Sequence, residues 1–154
     1  MTGDRALHTR EQFSFVVHAP FDVAWPLFGA EGERSWAPGW DPSFLWPPEP
    51  IDQQGMIFRI SHPLGTAIWV NTAFDEAEKR IQYVYLIPDA VVTVISLHLI
   101  ASDLTTQVEV TYERTALSES AAGRVRGLAE GDKSAGEEWS RQIALYLRRR
   151  SPAF

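Results

Sequence analysis

Few residues in this chain could carry covalent chemistry, while many could hold a molecule. There is no cysteine, which excludes disulfides, thiolate metal ligands and cysteine nucleophiles. The histidines are scattered: His8 lies near the start, His62 at an expected turn, and His18 and His98 on expected outer strand faces. No pair has the helical spacing of metal ligands and no His-x-His falls in a strand, so no metal site is expected. The glycines are scattered, no Gly-x-Gly-x-x-Gly follows a strand, and no cofactor is expected. Ser96, His98 and Glu109 fall on one strand face and resemble a hydrolytic set, although a solvated outer face accounts for them with less strain. Asp132 is a carboxylate on an otherwise apolar helical stripe. It could serve as a general base or anchor a ligand amine, or simply sit in a helix break. No catalytic residue is assigned.

The richer signal is aromatic. Phe58, Trp69, Tyr83, Tyr85, Tyr112 and Trp139 are expected on one inner surface with Asn71 and Ile95. Plain core packing accounts for any one of them, because an aromatic ring buries a large area. As a set they differ, since buried tyrosine hydroxyls and Asn71 need partners. Several polar tips on an apolar surface are what a ligand pocket with a few orienting groups looks like. Trp36, Trp40 and Trp46 form a second group, in the Trp- and Pro-rich stretch from Arg34 to Pro50. They are either a lid at the pocket mouth or a surface loop stapled by its own aromatics. At least one must be buried, because exposing all three is costly. The candidate ligand-binding residues are therefore Trp36, Trp40, Phe58, Trp69, Asn71, Tyr83, Tyr85, Ile95, Tyr112 and Trp139.

These residues need elements to position them. Phe13 to Ala19 reads as a first strand, with Phe13, Phe15 and Val17 on one face, ended by Pro20. Phe21 to Phe28 is expected as a short helix and Glu33 to Trp36 as another, followed by an edge strand at Phe44 to Trp46. A meander follows, with strands at Met56–His62, Thr66–Phe74, Arg80–Ile87, Val91–Ile100 and Thr105–Thr115. The Pro63-Leu64-Gly65 turn pairs Phe58 with Trp69 and Ile60 with Ala67. A three-residue turn at Pro88-Asp89-Ala90 pairs Tyr85 with Thr93 and Tyr83 with Ile95. It is preferred to a two-residue turn, which would face Val84 and Leu86 inward, because with it Trp69 and Asn71 join the tyrosines. A tight hairpin at Ser102-Asp103 pairs Leu99 with Thr106, Leu97 with Val108, Ile95 with Val110 and Thr93 with Tyr112. It turns Ser96, His98, Gln107 and Glu109 outward.

The cover is the stretch from Leu117 to Arg150. Leu117, Ala121, Val125, Leu128, Ala135, Trp139, Ile143 and Tyr146 share one helical stripe. It is one long helix or two end to end, since Gly127 and Gly131 weaken it and Ser134-Ala-Gly-Glu137 matches a capping box. Arg148-Arg149-Arg150 suits the negative end of a helix.

With 154 residues, 45% apolar and 22% charged, one domain over 1–154 is expected, with 1–11 a flexible tail. A net charge of −6 argues against a nucleic-acid partner. The polar N-terminus shows no signal peptide and no run is long enough to span a bilayer, so a cytoplasmic protein is expected. A homodimer stays open.

The order of strand, short helices, antiparallel meander and long C-terminal helix resembles the START-like (SRPBCC) helix-grip superfamily, in particular its polyketide cyclase/dehydrase-like and heat-shock ATPase-activator-homologue branches. The resemblance rests on Phe15-Val-Val-His-Ala-Pro-Phe-Asp-Val-Ala-Trp25, on Trp36 with Trp40, and on Gly55-Met-Ile-Phe58. Arg80-Ile-Gln-Tyr83, Thr106-Gln-Val-Glu-Val110 and Trp139 complete it. It implies an α+β fold in which a curved antiparallel sheet wraps the C-terminal helix around an internal cavity. Binding of a small, mainly apolar or aromatic ligand is the first functional expectation. The alternatives are a polyketide cyclase, aromatase or dehydratase, and a protein-interaction module of the ATPase-activator type.

Overall fold

Alternation of apolar and polar residues dominates the middle of the chain, and the computed structural model, which describes residues 6–150, resolves it into a seven-stranded antiparallel sheet. The strands are β1 (His8–Val17), β2 (Ser43–Trp46), β3 (Ile57–His62), β4 (Gly65–Asp75), β5 (Arg80–Ile87), β6 (Val91–Ala101) and β7 (Thr106–Ala116). Their order across the sheet is β1-β7-β6-β5-β4-β3-β2. Sequential hairpins build β2 to β7, and β1 closes onto β7. One face is apolar: Phe15, Val17, Phe58, Ile81, Leu97, Leu99, Val108 and Val110 are all buried there. Two helices cover that face, α2 (Glu119–Asp132) against β7 and β1, and α3 (Ala135–Arg150) against β1.

β1 starts at His8, so residues 8–11 belong to the strand and not to a tail. The expected helix over Phe21–Phe28 is one α-turn, α1 (Phe21–Ala24), running into a 3₁₀ turn at Trp25–Phe28. Pro26 lacks the N–H that would continue the α ladder, so the chain tightens there. A second 3₁₀ turn, Gly32–Ser35, replaces the expected helix at Glu33–Trp36.

Of the three hairpin registers expected residue by residue, two are observed and the third is slipped. Phe58–Trp69, Ile60–Ala67, Tyr85–Thr93 and Tyr83–Ile95 are paired as expected. Asp89 sits in the left-handed region at φ 61°, which lets the Pro88-Asp89-Ala90 turn close in three residues. The β4/β5 pairing carries a bulge between Asn71 and Ala73. The β6/β7 hairpin is slipped by two residues from expectation: Leu99 pairs with Val108, Leu97 with Val110, Ile95 with Tyr112 and Thr93 with Arg114. The turn is a wider loop over 102–105, with the Ser102 N–H bonded to the Thr105 carbonyl at 3.0 Å. Because side chains alternate with period two, a two-residue slip preserves every face. What it changes is the partner of each residue, and it places Arg114 inward beside Thr93.

The C-terminal cover is two helices. α2 ends at Asp132 and α3 begins at Ala135. The Ser134 hydroxyl donates to the Gly131 carbonyl at 3.4 Å. Gly136 lets α3 approach β1 closely, and a Cβ there would lie 2.8 Å from the Phe13 ring. Phe13 is held by Trp139 and Tyr112, with ring centroids at 5.3 and 6.2 Å, and has little room to swing aside. Gly136→Ala is therefore expected to destabilise by about 1–2 kcal/mol despite alanine's better helix propensity. A lowered denaturation midpoint with an unchanged slope would show it, and an unchanged midpoint would refute the close contact.

Candidate functional site

Between the inner sheet face and α3 lies a cavity of about 460 Å³, within the range of small-molecule sites. Exposed Pro38 and Glu138 mark its mouth. Its walls include eight of the ten residues expected from sequence: Trp36, Trp40, Trp69, Tyr83, Tyr85, Ile95, Tyr112 and Trp139. Phe58 and Asn71 do not line it. Phe58 is fully buried behind Trp69, stacked at 5.5 Å and edged by Trp40 and Tyr83. Asn71 is buried beside Tyr83, with its Oδ1 unpartnered. Sequence parity puts both on the inner face, but only the curvature of the sheet decides which inward residues reach the hollow.

The tryptophan loop is stapled by its own indoles. The Trp36 indole N–H donates to the Leu27 carbonyl and that of Trp40 to the Ala30 carbonyl, each at 2.7 Å. With those donors consumed, both residues line the cavity. Trp36 packs edge-on against Trp139 at 5.7 Å, and Trp40 against Trp69 at 5.3 Å. Trp46 is 54% exposed and takes no part.

The tyrosine hydroxyls play three different roles. Tyr83 donates to the Phe28 carbonyl at 2.8 Å and is a fastener between sheet and α1 region. Tyr85 accepts from Arg114 Nη1 at 2.6 Å. Tyr112 has no protein partner among the described residues. Burial is the main reason that the Tyr112 phenol is held well above its ordinary value, so it keeps its proton.

Arg114, which the sequence reading did not single out, is the centre of the polar network. Its Nε and Nη2 donate to the two carboxylate oxygens of Asp132, both at 2.8 Å, and its Nη1 also reaches Thr93 Oγ1 at 3.2 Å. Burial opposes its charge, but the Asp132 hydrogen bonds, Tyr85 and the Asp132 charge more than offset this, so it stays protonated. Asp132 is thus a buried counter-ion at the end of α2, not an open base. Arg114 was legible: it continues the Val108, Val110, Tyr112 alternation. His62 was legible too, as the third member of Phe58, Ile60, His62. It lines the cavity with its ring 5.8 Å from that of Tyr85. Burial, then the charges of Arg114 and Arg124, lower its pKa and keep it neutral.

Glu33 gave no signal in the sequence. It sits on the 3₁₀ turn Gly32–Ser35, half-buried, and lines the cavity. Asp52 fixes that turn by accepting from the N–H groups of Glu31 at 2.9 Å and Gly32 at 3.2 Å. Gly29 leaves the space this needs, because a Cβ there would run into the Asp52 carboxylate. The Glu33 carboxyl has no hydrogen-bond partner among the described residues. Burial first, and the Asp52 charge second, raise its pKa well above the usual carboxylate range. In the folded state it therefore holds a proton that the unfolded chain releases above about pH 4.3. Stability from this group is full below that value and falls as pH rises through the folded pKa. Glu33→Gln should flatten this fall, equalling wild type at about pH 4 and exceeding it at about pH 8 in denaturation midpoint. A wild-type advantage at the higher pH would contradict the assignment.

Other features carry less. His98 Nδ1 lies 3.6 Å from Glu109, while Ser96 accepts from Gln82 Nε2 at 3.1 Å, so Ser96 and His98 are not joined as nucleophile and base. Among the described residues no group of three or more His, Asp or Glu could hold a metal, and no helix is long and apolar enough to cross a membrane. A larger surface trough of about 880 Å³ runs between β1 and α3. No orphaned buried polar atom of the described residues lies along it.

Several solved proteins share this fold. Norcoclaurine synthase from Thalictrum flavum superposes with a TM-score of 0.70 at 12% identity, over 96% of this chain and 99% of that one. The fold is the START-like helix-grip fold. The Zhui aromatase/cyclase from a Streptomyces species shares it, with a TM-score of 0.65 at 17% identity over 94% of this chain and 97% of that one. So does the protein XoxI from Bacillus cereus, at 0.66 and 17% identity over 93% and 99%. No family model matches this helix-grip chain, and no curated protein matches it in sequence.

Proposed function

We propose that this protein binds one small, mainly apolar, aromatic molecule in the cavity between the sheet and α3. The observation that carries the reading is the wall itself: Trp36, Trp40, Trp69 and Trp139 line a space of about 460 Å³. Two of the four have their indole N–H groups tied back to the chain, which leaves apolar ring surface for the cavity wall. Aromatic surface of this kind takes aromatic ligands by ring packing and area burial. Native mass spectrometry followed by organic extraction tests it, backed by titration with aromatic and fatty ligands read by tryptophan quenching. A stoichiometric molecule, or saturable quenching, is expected. A protein that carries nothing and is quenched by no ligand of either class would overturn the reading.

A second reading is a cyclase, aromatase or dehydratase-type enzyme. What favours it is Glu33, a carboxyl that lines the cavity with no hydrogen-bond partner among the described residues and whose pKa burial raises. Acid–base catalysis needs a group of that kind in a dry cleft. Two of the solved proteins with this fold are a synthase and an aromatase/cyclase. Incubation with short poly-β-ketone thioesters, followed by product mass analysis, is the test. Turnover that survives Glu33→Gln would remove Glu33 from that role.

A further inference from the structure

One end of the cavity is crowded with hydrogen-bond donors that have nothing to donate to. His62 Nδ1 accepts from the Leu64 N–H at 3.0 Å, so the neutral ring carries its hydrogen on Nε2. The Tyr85 hydroxyl accepts from Arg114, which leaves its own O–H free. A guanidinium has five N–H hydrogens. Asp132, Tyr85 and Thr93 take four of those on Arg114, and one on Nη2 remains. Trp69, stacked on Tyr85 at 4.7 Å, forms the apolar side of this end. All four residues line the cavity.

We propose that the His62–Tyr85–Arg114 end of the cavity is a carbonyl-oxygen subsite, which takes the C=O of an uncharged aromatic ketone, quinone or lactone whose ring lies against Trp69. The inference rests on the cavity being a ligand site. Unsatisfied buried donors are costly, and an acceptor oxygen placed among them removes that cost. The acceptor is neutral for a reason of charge. Arg114 is already matched by Asp132 at 2.8 Å. No other Lys or Arg among the described residues lines the cavity, and Glu138 stands at its mouth, so a carboxylate ligand finds no unmatched cation among its walls.

Three probes of nearly equal shape test this on the full chain: methyl naphthyl ketone, isopropenylnaphthalene, in which CH₂ replaces the oxygen, and naphthoate. Equilibrium dialysis gives affinities, and infrared difference spectra give the stretch of the bound carbonyl. The ketone is expected to bind about tenfold more tightly than the alkene, with its stretch moved to lower wavenumber, and naphthoate is expected to bind weakest. Tyr85→Phe and His62→Asn should each reduce the ratio of ketone to alkene affinity and the infrared shift. His62→Asn keeps an acceptor near the Leu64 N–H, so it serves if Tyr85→Phe does not fold. Equal affinity for ketone and alkene, a preference untouched by both variants, or tightest binding of naphthoate would overturn the subsite while leaving the cavity reading in place. If none of the three binds, the subsite falls, while the extraction and quenching titrations decide the cavity reading separately.

Discussion

Asp132→Ala is expected to lower stability by about 3–5 kcal/mol, because it leaves a buried guanidinium without its counter-ion. Arg114 and Asp132 are 7% and 6% exposed in their side chains, and two hydrogen bonds join them. For a chain of this size each kcal/mol corresponds to about 2–4 °C in Tm, so the midpoint should fall by about 10 °C. The reason for the size is asymmetry. A buried pair gains little over a well-packed apolar substitute, but half a pair has an uncompensated charge in low dielectric. The double variant Arg114→Met with Asp132→Leu should therefore recover most of the loss. It should not recover the ketone preference, since Arg114 and its hold on Tyr85 are gone. A fall of less than about 2 °C for the single variant, measured by calorimetry, would mean that water reaches Arg114 and the network is not buried as described.

Phe58→Ala is the second large effect, expected at about 3–5 kcal/mol. Phe58 is fully buried and touches Trp40, Phe44, Trp69 and Tyr83 through its ring. Removing it opens a void behind the cavity wall, and the stacked Trp69 is free to fall into it. Binding and stability should then fail together: quenching by aromatic ligands is expected to weaken about tenfold or more even where the variant is fully folded. Trp69 fluorescence, compared in Phe58→Ala and wild type below the unfolding transition, reads the wall directly. A variant that loses stability but binds with wild-type affinity would show that Phe58 supports the core alone, and that the wall does not lean on it.

Much of this was readable along the chain. The five meander strands and the inward Trp69, Ile95 and Tyr112 follow from alternation and turn position, while Tyr83 and Tyr85 face inward only with the three-residue turn at Pro88-Asp89-Ala90. The β6/β7 hairpin shows how far that reasoning reaches. Its register was off by two residues, and the faces were still right, because parity is insensitive to an even slip. What the slip concealed was that Arg114 stands opposite Thr93. Asp132 shows a different limit. Its place on the helical stripe was legible, but its partner lay 18 residues back on another element, and one-dimensional periodicity says nothing about such pairs.

The residues by themselves determined the element order, the two-sided sheet, the helical cover with its weak point near Gly131, and the absence of any cysteine chemistry. These depend on local periodicity, turn residues and composition, which are written within a few positions of one another. Only the tertiary structure decided that Phe58 and Asn71 stand behind the cavity while His62 and Arg114 face it, that Tyr83 is a fastener, and that Glu33 reaches the hollow from a short turn fixed by Asp52. Those facts depend on sheet curvature and on contacts between residues distant in sequence, and the same alternation of side chains is compatible with many curvatures.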